Sequence, residues 1–295
     1  MQNKILLIIQ VLILTTVNNA NAVSKELDAY LAVKEAIEQK LQTPQPDQDG
    51  RVQTLNKKGA MSPKLDKVSQ AFVEFASQAE KEVLEIGAAY GLACLEALSL
   101  GARYYTVNDL DERHLKLLAV NLEKINPELL KNIRLVSGSF PKDFTKDNRK
   151  YDAILIARVL HFMNPNEVHE ALDLAYKMLK PGGKVYAVML SPYVEGYKSF
   201  IPEFEKRVRQ EQDSPGYVEN LLDYADRKII PENALKNTEQ QFFFFDKRTA
   251  RKLFEDSGFI VEKSIDMPLA YPSKIWALDG RENVGIIAYK PQGIL

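Results

Sequence analysis

The chain has 295 residues, 45% of them hydrophobic, with 39 Lys and Arg against 40 Asp and Glu and a formal net charge of −1. This length and apolar content suffice for one good-sized core, and the charge balance gives no electrostatic case for a nucleic-acid partner, whose phosphates would ask for a basic face. The single cysteine, Cys94, rules out a disulfide within the chain and reads as a small buried side chain. The histidines His114, His161 and His169 show no metal-ligand spacing, so no metal is expected.

The first 22 residues read as a secretory signal peptide. Lys4 precedes an apolar run from Ile5 to Leu14 broken only by Gln10, and Ala20-Asn21-Ala22 puts small residues where a signal peptidase cleaves. The run is too short for a lasting membrane span, which takes about 20 apolar residues. Export by this route is the expectation; the alternative is a cytoplasmic protein with an uncleaved extension or a start at Met61. Residues 23–62 then form an N-terminal helix and linker. Ser24 to Leu41 places Leu27, Tyr30, Leu31, Val33 and Ile37 on one helical face. Gln42 to Ala60, punctuated by Pro44, Pro46, Gly50 and Gly59, reads as the linker. Ser62-Pro63 predicts a helix start by the cap-then-proline rule, with Leu65, Val68, Phe72, Val73 and Phe75 over the first strand.

From residue 82 strand and helix alternate. Strands are predicted near 82–86, 104–108, 133–137, 151–156 and 184–190, and helices near 89–100, 112–124 and 166–179, a pitch that demands parallel strands with right-handed crossovers. The first strand runs into Glu85-Ile86-Gly87-Ala88-Ala89-Tyr90-Gly91, where glycines permit a sharp turn and close approach of a ligand to the main chain. Its spacing, Glu-x-Gly-x-x-x-Gly, lacks the Gly-x-Gly-x-x-Gly of dinucleotide sites because position 89 is alanine. Asp109, at the end of the second strand, is suited to accept hydrogen bonds from ribose hydroxyls. The pair points to a nucleoside cofactor without a diphosphate. After Leu190 a polar and aromatic insertion, about 191–241, holds predicted helices at Phe200 to Gln210 and Tyr217 to Asp226. A helix at Lys247 to Ser257 and strands at Gly258 to Met267 and Val284 to Tyr289 follow.

These segments resemble the class I S-adenosylmethionine-dependent methyltransferases over roughly residues 63–291, within a domain expected to span 63–295. The resemblance rests on the Glu-x-Gly loop, Asn108-Asp109-Leu110-Asp111, Val136 to Phe140, Tyr151 to Ile156 and Leu179 to Val185. It implies an α/β fold, a seven-stranded, mostly parallel, doubly wound sheet with an antiparallel C-terminal edge and a helical insertion. It implies S-adenosylmethionine as cofactor and a methyl acceptor that is a small molecule, or alternatively a protein; a binding protein without turnover is a third reading. By the resemblance, Glu85 and Gly87 serve the methionine half, Ala88, Ala89 and Gly91 let the backbone approach, and Asp109 takes both ribose hydroxyls. Asp111 reads as a helix cap in preference to a ribose contact. Ser139 stands where many relatives carry an acid for the adenine amine, with Phe140 beside it to pack on the ring. Ala157 to Phe162 forms the rim where cofactor and acceptor meet. There Arg158 is a candidate partner for a substrate carboxylate, and His161 is a candidate general base or a structural histidine. The Asn/Asp-Pro-Pro-aromatic signature of amino-methylating relatives is missing, which disfavours nucleic-acid amines and glutamine amides. Tyr193, Tyr197 and Tyr217 are candidates to roof the acceptor, and Phe242 to Phe245 to join insertion and core.

Overall fold

The computed structural model describes residues 24–144, 147–236 and 240–293; the expected signal segment lies outside them. In chain order the elements are β1 (Lys25–Leu27), α1 (Ala29–Glu38), β2 (Val52–Gln53), β3 (Ala60–Met61), α2 (Lys67–Ala76), β4 (Glu82–Ile86) and α3 (Leu92–Ser99). They continue with β5 (Tyr104–Asp109), α4 (Glu112–Ile125), β6 (Ile133–Ser137), β7 (Tyr151–Ala157), α5 (Pro165–Met178) and β8 (Leu179–Leu190). The last are α6 (Ile201–Arg209), β9 (Tyr217–Val218), α7 (Glu232–Leu235), β10 (Phe242–Phe243), α8 (Lys247–Asp256), β11 (Ile260–Met267) and β12 (Asn283–Tyr289).

The main sheet runs β1-β6-β5-β4-β7-β8-β12-β11. Strands β6, β5, β4, β7 and β8 are parallel, and β12 runs antiparallel to both β8 and β11. Val83, Leu84 and Ile86 of β4 are all fully buried, as in a central strand covered on both faces by helices. One face packs on α1 to α4, the other on α5 and α8.

The seven expected strands are joined by an eighth. Lys25–Leu27, expected in the first helix, pairs antiparallel with β6, with Lys25 opposite Ser137. Asp28 caps α1 by accepting the Leu31 N–H at 2.8 Å, so the helix starts only after the strand. The buried face of α1 also differs from the expected one. Ala29, Ala32, Val33 and Ala36 are buried, whereas Tyr30, Leu31 and Ile37 are 50, 50 and 64% exposed. The small alanines let α1 lie close against α4. Lys116 of α4, only 4% exposed in its side chain, fixes that approach by pairing with Glu35 and Glu112, each at 2.9 Å.

Two further differences have local causes. Helix α2 begins at Lys67 instead of at Ser62-Pro63, because the Asp66 carboxylate accepts the Val68 and Ser69 N–H groups at 3.0 and 2.9 Å. The Ser62 hydroxyl is engaged instead, donating to the Lys64 carbonyl at 2.7 Å. Tyr217 to Asp226 is the short strand β9 and a 3-10 turn at Leu221–Tyr224 in place of an amphipathic helix. In the insertion, Tyr193 and Tyr197 are buried within its own cluster, together with Phe200, Phe204, Phe242 and Phe244. Phe243 and Phe245 belong to the main core. Extended backbone sends successive side chains to opposite sides, so one four-residue run serves both cores.

Candidate functional site

The carboxyl ends of β4, β5 and β7 converge on one edge of the sheet, the edge at which open α/β folds bind ligands. The glycine loop leaves β4 through residues with left-handed φ: Gly87 at 67°, Ala89 at 49° and Gly91 at 79°. A Cβ on Gly87 would stand 2.4 Å from Val159 Cγ2, and one on Gly91 would stand 2.2 Å from Leu118 Cδ1. Both glycines are thus needed by the protein's own packing. Ala88 donates to the Asn108 carbonyl at 3.1 Å, tying the loop to β5.

Glu85 faces inward from β4 and is 6% exposed. Its carboxylate accepts the Tyr105 hydroxyl at 2.7 Å. Burial raises its pKa to about 7; the Tyr105 hydrogen bond opposes that rise, and the Asp109 charge adds to it.

Asp109 is held on three sides. Its Oδ2 accepts the Ala89 N–H at 2.8 Å, and its Oδ1 accepts the Asp111 N–H at 2.9 Å. The His114 Nδ1 also lies 2.9 Å from Oδ1. A carboxylate offers about four acceptor positions, so this geometry leaves Oδ2 with one, where the sequence reading had two ribose hydroxyls bound. Asp111 caps α4 through the Arg113 N–H.

After β6 the expected adenine contacts are engaged within the protein. The Ser139 N–H donates to the Asp143 carboxylate at 2.7 Å. Asp143, the first carboxylate after β6, is thereby turned onto the protein's own backbone. Phe140 is 6% exposed and packs edge-on to Phe144 at 5.6 Å, so its ring belongs to the core and offers no open face for adenine.

The rim differs most from the sequence reading. Ala157 ends β7, and Arg158 follows with φ at 59°. The Arg158 Nη1 donates to the Asp66 carboxylate at 2.9 Å, joining the rim to the cap of α2. Its Nη2 is buried without a partner. His161 is buried between Phe162, 4.3 Å away, and Phe242, stacked at 4.8 Å. Burial, aided by the Arg158 charge, pushes its pKa down to about 3. It lies inside the joint between rim and insertion, packed as a structural histidine is.

Sequence reasoning missed Asp66, Tyr105 and His114. Asp66 was legible as a cap three residues before Ser69, but its ion pair spans 92 positions. Among the described residues no group of three or more His, Cys, Asp or Glu is arranged to hold a metal, and no helix is long and apolar enough to cross a membrane.

The donor set suits a cofactor with a cationic amino-acid end and a ribose. A desolvated carboxyl such as Glu85 regains its charge beside an ammonium, and Asp109 keeps an acceptor position at the next strand end. Residues 83–183 match the family described as Methyltransferase domain. No curated protein matches the sequence. Among solved structures, an S-adenosylmethionine-dependent methyltransferase from Methanosarcina mazei is similar at 17% identity and TM-score 0.54, over 78% of this chain and 99% of that one. The glycopeptide N-methyltransferase MtfA, complexed with S-adenosyl-L-homocysteine, is similar at 14% identity and TM-score 0.52, over 77% and 91% of the two chains. A 1,6-didemethyltoxoflavin-N1-methyltransferase of Burkholderia thailandensis, bound to 1,6-didemethyltoxoflavin and S-adenosylhomocysteine, is similar at 15% identity and TM-score 0.50, over 77% and 78%. Residues 83–183 thus match a methyltransferase domain, and the fold is the one shared by these S-adenosylmethionine-dependent methyltransferases.

Proposed function

We propose that this protein transfers the methyl group to a small-molecule acceptor seated between the rim at Ala157 to Phe162, the start of α2 and the insertion. In this reading Glu85 and Gly87 hold the methionine half of the cofactor, Ala88, Ala89 and Gly91 shape the backbone around it, and Asp109 takes one ribose hydroxyl. Ser139 borders the adenine. The cofactor supplies a methyl group already activated on sulfonium sulfur, so the protein's part is alignment and exclusion of water. The observation that carries the acceptor side is Arg158: Asp66 fixes one of its terminal nitrogens, and the other is buried without a partner. A buried donor without a partner suits an acceptor molecule bearing an oxygen that takes a hydrogen bond.

The test is release of S-adenosylhomocysteine by the purified protein with cell extract divided into small-molecule and protein fractions. Turnover with the small-molecule fraction supports the proposal. Turnover only with the protein fraction would make it a protein methyltransferase, and binding without turnover in either would make it a cofactor-binding protein.

We also infer export, with cleavage after Ala22. Such a cut leaves β1 whole, whereas a start at Met61 would remove β1, α1 and β2 together. N-terminal sequencing of protein from its native source should begin at Val23; an intact Met1 or a Met61 start would refute export.

A further inference from the structure

We propose that His114 is a positioning residue for the nucleoside half of the cofactor site, and that through it the strap from Val52 to Met61 becomes part of that site. The inference rests on the assignment of Asp109 to the ribose. His114 is 1% exposed. Its Nε2 accepts the Leu55 N–H at 2.9 Å, and its Nδ1 lies 2.9 Å from Asp109 Oδ1. A neutral imidazole has one donor and one acceptor nitrogen. The backbone N–H can only donate, so Nε2 is the acceptor and the proton sits on Nδ1, pointing at the carboxylate.

This bond has a directional consequence. With the Asp111 N–H and the imidazole both on Oδ1, the position left open is on Oδ2, beside the Ala89 N–H of the glycine loop. His114 therefore selects which oxygen of Asp109 meets the ribose. The same ring reports on the strap. Tyr90, in the glycine loop, packs edge-on to His114 at 5.1 Å, and its hydroxyl donates to the Gln53 carbonyl at 2.8 Å. Val52, Leu55 and Met61 pack around Ala89, Tyr90 and Leu117. Strap, glycine loop and ribose carboxylate thus share one buried network, and a ligand that orders the carboxylate also orders the strap.

The experiment uses the full chain, with S-adenosylhomocysteine and its 2′,3′-dideoxy analogue as probes, titrated against wild type, His114→Ala, His114→Asn and Asp109→Ala. Far-ultraviolet circular dichroism establishes that each variant is folded. Loss of one charge-assisted contact corresponds to about tenfold in affinity. His114→Ala should weaken S-adenosylhomocysteine by about tenfold and the dideoxy analogue by under about twofold, because the analogue has no hydroxyl for Asp109 to meet. Asparagine presents a donor near the Nδ1 position, so His114→Asn should recover most of the loss for the parent ligand. Hydrogen exchange at the Leu55 amide should slow on binding in wild type and much less in His114→Asn. Equal weakening of both ligands, no weakening of either, or no rescue by asparagine would overturn the proposal. If Asp109→Ala binds normally, the ribose assignment itself is wrong. If Asp109→Ala is weakened while His114→Ala is not, only the positioning role fails. Should the alanine variant not fold, the asparagine variant and the Leu55 amide decide the question: normal protection there on binding would refute the link to the strap.

Discussion

The Tyr105 hydroxyl donates to the Glu85 carboxylate across 2.7 Å, from β5 to β4, inside the face covered by α1 to α4. Burial outweighs this bond and holds the Glu85 pKa near 7, against 4.5 in an unfolded chain. The folded protein therefore keeps a proton that the unfolded chain has released. The stability gained from it is complete below pH 4.5 and is lost as pH rises through 7, amounting to about 3 kcal/mol. Glu85→Gln should flatten this decline, and Tyr105→Phe should move its end to higher pH. Urea denaturation of the ligand-free protein from pH 5 to 8.5 measures both, and a wild-type profile level between 5 and 7 would contradict the coupling.

Gly87 meets two constraints at once, a φ of 67° and a Cβ position 2.4 Å from Val159 Cγ2. Gly87→Ala should cost about 2–4 kcal/mol through strain and overpacking. Adding Val159→Ala should recover the overpacking part and leave the strain. Denaturant midpoints of the single and double variants give the split. A double variant as unstable as Gly87→Ala alone would place the whole cost in the backbone.

Asp66 both caps α2 and pairs with Arg158, and the two duties separate chemically. Asparagine caps a helix as well as aspartate does but brings no charge. Asp66→Asn should keep α2 and lose the ion pair, while Asp66→Ala should lose both and cost about 1 kcal/mol more. Thermal melts order the three proteins. Activity carries the second readout, since a freed Arg158 should raise KM for the acceptor with little change in kcat.

His161 binds a proton near pH 6.5 in the unfolded chain and only near 3 when folded. Its neutral form thus adds stability at neutral pH, and that contribution disappears as pH falls from 6.5 through 3. Phenylalanine fits between Phe162 and Phe242 and removes the unpartnered Nδ1. His161→Phe should be less sensitive to acid and should leave the pH dependence of methyl transfer unchanged. A folded His161→Phe protein slowed more than a hundredfold would reinstate the imidazole as a base.

What the sequence made legible follows the range of the physics. The alternation of strand and helix, the glycine loop and Asp109 rest on local periodicity and turn chemistry, and they stand where expected. The strand at Lys25–Leu27 did not, because three residues carry no period and their pairing depends on β6, more than a hundred residues away. The exposed face of α1 was misread since alanines, weak in any hydrophobic count, are what α4 admits. Arg158, His161 and Phe140 were placed on the correct segments. Their partners, Asp66, Phe242 and Phe144, determine which way the side chains turn, and partners of that kind are set by tertiary structure.

The pairing of β1 with β6 also sets an order of events during synthesis. Residues 25–27 have no strand to join until residues 135–137 have left the ribosome, and the Ser24 N–H bonds the Asp143 carbonyl still later. Through the making of nearly half the chain, β1 has no partner strand in the sheet. Any factor that acts on an emerging N-terminus has that whole interval in which to reach it, and the sheet gains its β1 edge only afterwards.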